Sequence, residues 1–255
     1  MTTALVTGAT AGIGAEFARQ LAARGHDLVL VARNADRLTS TADALRARHG
    51  VQVEVLAADL GVRGDVARVA ERLSDPGRPI DVLVNNAGFG DSTRLLDADT
   101  SPHERALDVM ATAVLVLGNT AARAMVARGH GRVITVASLS AWITQGSYSA
   151  VKSFAKLYSE ALSNELHGTG VTATALCPGW VRTEFHQRAA MDASKIPTPV
   201  WVSAERCVRE CLADADAGKP ISLPTKRWKV AALVLQHLPR GAVRAITRQV
   251  DRART

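Results

Sequence analysis

Short apolar runs alternate along the chain with longer segments in which apolar residues recur at helical spacing. The apolar runs predict strands near residues 4–7, 27–32, 52–57, 82–85, 132–137, 171–176 and 220–223. Strands that alternate with helices imply right-handed β-α-β units. We therefore expect a single-domain α/β fold, with a doubly wound parallel sheet of about seven strands and helices on both faces.

The first predicted strand runs into a glycine-rich turn, Thr7-Gly8-Ala9-Thr10-Ala11-Gly12-Ile13-Gly14, and a helical pattern follows it. Glycines at such a turn permit close approach of the backbone to a pyrophosphate, and the helix N-terminus offers free N–H groups. The spacing G-x-x-x-G-x-G differs from the commoner G-x-G-x-x-G. Glycines here could also serve only to shape the turn from strand to helix.

Tyr148 and Lys152 lie four residues apart, with Ser138 ten residues before the tyrosine. On a helix this spacing puts both side chains on one face. A neighbouring ammonium lowers a tyrosine pKa from its reference of about 10, which makes a general acid–base usable near neutral pH. The spacing alone also suits a half-buried aromatic ring beside a surface amine, so the surrounding motifs must distinguish a catalytic pair from a structural one.

The chain resembles the short-chain dehydrogenase/reductase family, because six motifs follow one another in the order of that family. They are the glycine turn, Asp59-Leu60 after the third strand, Asn85-Asn86-Ala87-Gly88 at the end of the fourth, Ser138 at the end of the fifth, Tyr148 with Lys152 in the next helix, and Pro178-Gly179-Trp180-Val181-Arg182-Thr183. The last stretch lines the nicotinamide in the family. The resemblance covers nearly the whole chain and becomes weak from Phe185 onward.

The resemblance implies a Rossmann-like fold and hydride transfer between nicotinamide C4 and a carbonyl or carbinol carbon. Ser138 would hold the substrate oxygen, Tyr148 would give or take its proton, and Lys152 would bind the nicotinamide ribose and lower the tyrosine pKa. The implied cofactor-binding residues are Gly8, Thr10, Gly12, Ile13, Gly14, Arg33, Asp59, Leu60, Asn86, Ala87, Gly88, Tyr148, Lys152, Pro178, Gly179, Val181 and Thr183.

Cofactor choice depends on the end of the second strand. An acidic residue there normally holds a ribose 2′-OH, whereas a 2′-phosphate needs a cation. Ala32 and Arg33 occupy this position and Arg37 follows one helical turn later, so we predict NADP(H) in preference to NAD(H). Arg33 as an ordinary solvated charge is the alternative. The family often places a Ser or Arg in the glycine loop for the phosphate, whereas this chain has Thr10 and Ala11.

The segment 182–200 is the expected substrate lid. Its residues Phe185, His186, Met191 and Ile196 mix apolar and polar groups, with Pro197 and Pro199 near its end. This composition suggests a medium-sized, largely apolar ketone or alcohol, such as an acyl, steroid-like or polyketide-like compound.

One residue departs from the family pattern. In the family, an Asn in the fourth helix anchors a water that resupplies the catalytic proton, and an ungapped count places this position at Met110. A thioether accepts hydrogen bonds only weakly and donates none. Either water relays through Thr112 or backbone carbonyls, or turnover is slow. A cofactor-binding protein with weak or non-redox activity is therefore the alternative function.

Composition suits one domain with a sizeable core: 255 residues, of which 47% are hydrophobic. We expect a cytoplasmic protein, with membrane association as a further possibility, because the first residues form a strand and no uninterrupted apolar run reaches 18 residues. We also expect a homodimer or homotetramer. Three cysteines, Cys177, Cys207 and Cys211, are expected to be buried thiols, and no metal site is predicted.

The basic character of the chain belongs to its C-terminal part. The net charge is +7 overall and +8 from Lys219 onward. We expect a catalytic domain over residues 1–225 and a basic extension over 226–255. In the extension, Arg240, Arg244, Arg248 and Arg252 lie opposite Val243, Ile246 and Val250, as in a basic amphipathic helix. Such a helix packs on its own fold or a neighbouring subunit, or contacts a membrane surface; nucleic acid is not expected, because stacking aromatics are lacking.

Overall fold

The structure is a computed structural model that describes residues 2–90, 93–183 and 198–252. Its strands are β1 Thr3–Thr7, β2 Asp27–Ala32, β3 Val53–Ala57, β4 Val82–Asn85, β5 Gly131–Val136, β6 Val171–Leu176, β7 Val181–Arg182, β8 Val202–Ser203 and β9 Ile221–Ser222. Seven of them form a parallel sheet in the order β3-β2-β1-β4-β5-β6-β9, which confirms the predicted doubly wound fold. The parallel pair of β7 and β8 was not predicted.

Helices cover both faces of the sheet. They are α1 Gly12–Ala23, α2 Ala35–His49, α3 Arg63–Ser74, α4 Ser101–Leu107, α5 Ala113–Val126, α6 Gly146–Glu165, α7 Ala204–Asp216, α8 Lys226–His237 and α9 Arg240–Arg252. A π-helical turn, Asp108–Thr112, joins α4 to α5, and a 3₁₀ turn over Leu139–Trp142 precedes α6. A second 3₁₀ turn spans Thr198–Val200.

Alternating strand residues build two apolar cores, because successive side chains of a strand point to opposite faces. In β1, Val6 belongs to the core that contains Phe17 of α1, together with apolar residues of α2 and α7. Leu5 belongs to the opposite core, with Leu117 of α5 and Val151 of α6. Burial on both faces is what an all-parallel sheet requires.

The C-terminal helices pack on this body. Trp228 of α8 packs against the first core, and Val243 of α9 is fully buried. Thr144 N donates a hydrogen bond to Thr247 Oγ1 of α9 at 3.4 Å. The α9 residues Arg240, Arg244 and Arg248 are exposed. This placement favours the packed alternative for α9; the side chains of Ile246 and Val250 lie outside the described residues.

The continuous helical segment Ser101–Val126 has the length of a membrane-spanning helix, and an 18-residue window within it has a mean hydropathy of 1.5. Within it, Leu117 and Met125 are fully buried in the second core. We therefore assign the segment to the core of the domain.

Candidate active site

The sequence motifs converge at the carboxyl edge of the sheet. β1 and β4 are neighbours at the centre of the strand order, and the crevice beyond this switch point is where open α/β sheets bind ligands. Each predicted motif lies within two residues of a strand end at this edge: Gly8 after β1, Arg33 after β2, Asp59 after β3, Asn86 after β4, Ser138 after β5 and Pro178 after β6.

Asn86 holds the glycine turn in place. Its Nδ2 donates to Thr7 O at 2.8 Å and to Gly8 O at 3.3 Å. Thr7 Oγ1 in turn accepts hydrogen bonds from the backbone N–H groups of Asn86 at 2.9 Å and Ala87 at 3.0 Å. Thr7 was missed among the predicted site residues, although its position directly before Gly8 is the signal that could have identified it.

The conformation of the turn requires glycine. Gly8 and Gly12 have φ values of +65° and +53°, in the left-handed region. A Cβ at Gly8 would meet Asn86 Nδ2 at 2.8 Å, and one at Gly12 would meet Thr183 Cβ at 3.1 Å. The glycine turn, Asn86 and Thr183 are therefore in direct contact, although they are far apart in sequence.

The start of α1 suits an anion. Ala11 precedes the helix and has no polar side chain to cap it, and the first carboxylate, Glu16, comes only after the first turn. The first N–H groups of the helix and its positive dipole end therefore remain available to a negatively charged group. These features fit the pyrophosphate of a dinucleotide, which the glycine turn and α1 would hold.

Asp59 is paired with Arg105 of α4, a contact that the sequence pattern did not reveal. Arg105 Nη2 donates to both carboxylate oxygens, at 2.9 and 2.8 Å, and Gly61 N donates to Oδ1 at 2.9 Å. Partial burial acts to raise the pKa of Asp59, but these hydrogen bonds and the nearby charges of Arg105 and Arg33 outweigh it and lower the pKa. Asp59 is thus an ionised acceptor, with the exposed Arg33 close by.

Ser138 lies where two active-site loops meet. Its Oγ accepts a hydrogen bond from Ser140 N at 3.0 Å, at the start of the 3₁₀ turn. The next residue, Leu139, donates its N–H to Pro178 O at 2.9 Å, which joins this loop to the Pro-Gly stretch after β6. Ser153 Oγ of α6 donates to Ala141 O at 2.8 Å and holds the 3₁₀ turn against α6.

Tyr148 and Lys152 occupy the first turns of α6, as predicted from their spacing. Lys152 Nζ lies 5.8 Å from the centroid of the Tyr148 ring. The lysine is 5% exposed, and its ammonium donates to Val136 O at 2.8 Å. Burial lowers the pKa of Lys152 to about 8. The lysine can therefore hold or release a proton near neutral pH.

Met110 lies beside this lysine. It is 2% exposed and belongs to the π-helical turn. A side chain on Gly88 would meet Met110 Sδ at 3.0 Å and Lys152 Nζ at 3.6 Å, so both groups flank the same glycine. Thr112 lines a cavity of about 10 Å³ together with Leu60 and residues of α3.

Most of the predicted lid, residues 184–197, lies outside the described residues, including Phe185, His186, Met191, Ile196 and Pro197; the side chain of Pro199 does too. The described residues on either side of the predicted lid contact each other. Trp180 O accepts a hydrogen bond from Val202 N at 2.8 Å, next to the β7–β8 pair. The rings of Trp180 and Trp201 pack edge to face with centroids 5.7 Å apart.

The C-terminal helices reach the active-site loops, a feature that the sequence did not reveal. Gly179 lies against the Trp228 ring of α8, so closely that a methyl group on Gly179 would overlap it. The Thr144–Thr247 contact joins α9 to the loop that precedes Tyr148. The walls of the site thus include residues from the least diagnostic part of the chain.

Titratable clusters elsewhere do not suggest metal chemistry. Within residues 2–90, 93–183 and 198–252, no group of three or more His, Cys, Asp or Glu side chains could hold a metal ion. The three cysteines are buried free thiols. Burial raises the pKa of both Cys177 and Cys207 to about 12, which makes them unreactive.

This geometry defines a dinucleotide-binding α/β protein with a Ser, Tyr and Lys constellation at the carboxyl edge of its sheet. The sequence profile of the short chain dehydrogenase family matches residues 2–193. The chain therefore belongs to the short-chain dehydrogenase/reductase family. It is an oxidoreductase with a fold that binds NAD(P), as the resemblance implied.

Several relatives extend this similarity. A Streptomyces coelicolor protein described as a ketoacyl reductase is 33% identical over 261 residues, which cover 96% of this chain and 93% of the relative. A Streptomyces virginiae protein described as a ketoacyl reductase of the monensin polyketide synthase is 37% identical over 195 residues, 72% of either chain. A short-chain dehydrogenase from Sphingobium yanoikuyae, solved in complex with NADPH, superimposes with a TM-score of 0.84 at 34% identity, covering 92% of this chain and 94% of that one.

Proposed function

We propose that this oxidoreductase uses NADP(H) to interconvert a ketone and a secondary alcohol on a medium-sized, largely apolar substrate. The observation that carries the proposal is the buried Lys152 one helical turn from Tyr148, at the sheet edge where the glycine turn and Ser138 also lie. Two relatives described as ketoacyl reductases favour an acyl or polyketide-like carbonyl compound over a steroid-like one.

When bound, NADP(H) supplies or accepts a hydride at nicotinamide C4. In the reductive direction, the Ser138 hydroxyl would donate a hydrogen bond to the substrate oxygen, and the Tyr148 phenol would give that oxygen its proton. Lys152 would favour the resulting phenolate by its charge and would hold the ribose of the cofactor. Asn86 and Thr183 position the cofactor through the glycine turn, which both residues contact.

Arg33 supports the preference for NADP(H). It is exposed at the end of β2 and close enough to Asp59 to lower the pKa of that carboxylate. A guanidinium in this position suits a 2′-phosphate. The NADPH bound to the Sphingobium yanoikuyae relative is consistent with this choice.

The outer face of α5 and α6 supports self-association. Leu115, Phe154 and Leu157 are 45%, 38% and 60% exposed there. The Phe154 and Tyr158 rings stack with centroids 5.9 Å apart, and Tyr158 OH donates to Leu115 O, so the three apolar residues form one ordered patch. We propose that a second copy of the chain covers this patch. Light scattering should give the mass of a dimer or tetramer, and Leu157→Arg should lower it.

The second candidate function is cofactor binding with weak or non-redox activity. Met110, buried beside Lys152 where the family places an Asn, is the observation that favours it. The turnover rate separates the two candidates, because both require NADPH binding and only the first consumes NADPH rapidly.

The test is a screen for NADPH oxidation over β-ketoacyl thioesters, bicyclic ketones and steroids, with NADPH and NADH affinities measured by calorimetry. Tyr148→Phe is the matched control, because it removes the proton donor and keeps the ring. We expect it to lower turnover by about 10² to 10⁴ while NADPH affinity stays close to that of the wild type. Turnover of the Phe variant within about tenfold of wild type would contradict the role of Tyr148, and NADPH binding without any turnover would favour the second candidate.

A further inference from the structure

An apolar stripe runs along the outer face of α8. Val230, Leu233 and Val234 are 59%, 58% and 51% exposed, and their i, i+3, i+4 spacing puts them side by side. Trp228 and Ala232, on the opposite face, pack inward, with Ala232 2% exposed. Single exposed apolar residues are normal on a protein surface, whereas a contiguous patch marks an interaction site.

Cations flank this stripe on α8 itself. Lys226, Arg227 and Lys229 in the first turn of α8 are all exposed. Arg240, Arg244 and Arg248 on α9 are exposed as well. From Lys219 onward the chain carries a net charge of +8, against +7 for the whole protein, so its excess positive charge belongs to this C-terminal part.

A cleft of mixed lining opens beside the stripe. Leu233 lines this cleft of about 270 Å³ together with the apolar residues Trp142, Ile221, Leu223 and Ala232. The rest of the lining is polar: Lys219, Lys229, Gln236 and the carboxylate of Asp214, which is paired with Lys219. The outer face of α8 therefore combines exposed aliphatic side chains with a cationic rim.

We propose that this face docks on an anionic lipid bilayer, with Val230, Leu233 and Val234 among the acyl chains and the cations at the level of the phosphates. An interfacial helix has these properties: an apolar face, a basic rim and no need to span the membrane. A second copy of the chain fits less well, because it would bring two strongly positive surfaces together. Charge complementarity therefore selects an anionic surface as the partner.

Docking on this face leaves the rest of the domain intact. Trp228 joins α8 to Gly179 on the side opposite the stripe, and α9 contacts Thr144 through Thr247. The bilayer would thus meet a rigidly attached helix next to the active-site loops. Because the stripe residues are exposed, their replacement should not disturb the packing of α8.

Vesicle sedimentation of the full chain tests the stripe. We expect the wild type to sediment with phosphatidylcholine vesicles that contain phosphatidylglycerol, more weakly at high salt, and far less with phosphatidylcholine alone. Replacing Val230, Leu233 and Val234 by Ser should weaken binding more than about tenfold. The matched control replaces Leu95 and Leu96 by Ser and should bind like the wild type, because these residues are 67% and 89% exposed but lie outside α8 and α9. Unfolding midpoints confirm that each variant is folded.

A second pair of variants tests the cations. Lys226→Gln, Arg227→Gln and Lys229→Gln together remove the same charge as Arg240→Gln, Arg244→Gln and Arg248→Gln. We expect the α8 set to weaken binding about a hundredfold, at roughly fivefold per cation, and the α9 set to weaken it less. Equal losses of vesicle binding for the two sets would overturn the assignment to α8. Unchanged binding of the stripe variant would overturn it too, and so would a wild-type protein that stays in the supernatant at low salt. A stripe variant that loses self-association in lipid-free buffer would instead make a second copy the partner.

Discussion

Replacement of Lys152 by methionine tests whether the proposed catalytic lysine strains the fold. The side chain is 5% exposed, and burial lowers its pKa from 10.5 to about 8. At about 1.4 kcal/mol per pKa unit, this lowering of the pKa corresponds to a destabilisation of the folded protein by about 3 kcal/mol. The unfolded chain keeps its proton up to pH 10.5, whereas the folded chain loses it near pH 8. The cost is therefore complete below pH 8 and is relieved as the pH rises to 10.5.

Urea unfolding of the cofactor-free protein at pH 7 and pH 10.5 measures this cost. We expect the free energy of unfolding of Lys152→Met, relative to wild type, to fall by about 3 kcal/mol between the two pH values. The lost hydrogen bond to Val136 O lowers the stability of the variant at both values, so it largely cancels in this comparison. The variant should also lose turnover, because it lacks the ammonium.

Lys156→Met is the matched control on the same helix. Lys156 Nζ lies 2.5 Å from Glu160 Oε2 and 5.0 Å from the centroid of the Trp142 ring, so its charge is already compensated. Its stability difference from wild type at pH 7 and pH 10.5 gives the baseline for removing a lysine from this helix. A Lys152→Met difference that does not exceed this baseline would refute the reasoning, because Lys152 would then be solvated well enough to keep its proton.

Three further variants test other parts of the site. Arg33→Ala should remove most of the preference for NADPH over NADH, about 1.5 to 3 kcal/mol of binding free energy measured by calorimetry. Equal losses of affinity for both cofactors would show that Arg33 does not contact the 2′-phosphate. Arg105→Leu removes the partner of the Asp59 carboxylate and should weaken the binding of both cofactors by a similar factor, about tenfold, with kcat unchanged. Unaltered cofactor affinity would limit Arg105 to a structural role. Met110→Asn should raise kcat with KM unchanged if proton resupply limits turnover, at a risk of about 1 to 3 kcal/mol of stability. A folded Asn variant with the wild-type kcat and no solvent isotope effect would place the slow step elsewhere.

The strands and the placement of the motifs could be predicted from the sequence because both depend on local patterns. Alternation within β1 separates Leu5 from Val6, and each strand end then carries its motif to the same edge. The Arg105–Asp59 pair could not be predicted, since these residues are 46 positions apart and no periodicity joins them. The two-residue strands β7 and β8 are too short for any alternation to be visible.

The C-terminal helices α8 and α9 show a different limit. Helical periodicity indicated an amphipathic helix over α9, but periodicity does not show which neighbour covers the apolar side. In the structure Val243, on that side of α9, is fully buried. Among the described side chains, an exposed apolar face belongs to α8, where the sequence has an apolar stretch from Val230 to Leu238. Trp228 explains the difference, because its packing on Gly179 fixes which side of α8 faces inward.

Met110 and Lys152 are both buried at the centre of the proposed site. Both flank Gly88, and the thioether fills space in which an amide would offer hydrogen bonds to water. A lysine that gains water is desolvated less, so its pKa would lie closer to 10.5. We therefore expect Met110→Asn to have two opposed effects on the same group. The amide would offer a hydrogen bond to water, and it would raise the pKa of Lys152 from about 8, which makes the ammonium a weaker proton donor to Tyr148.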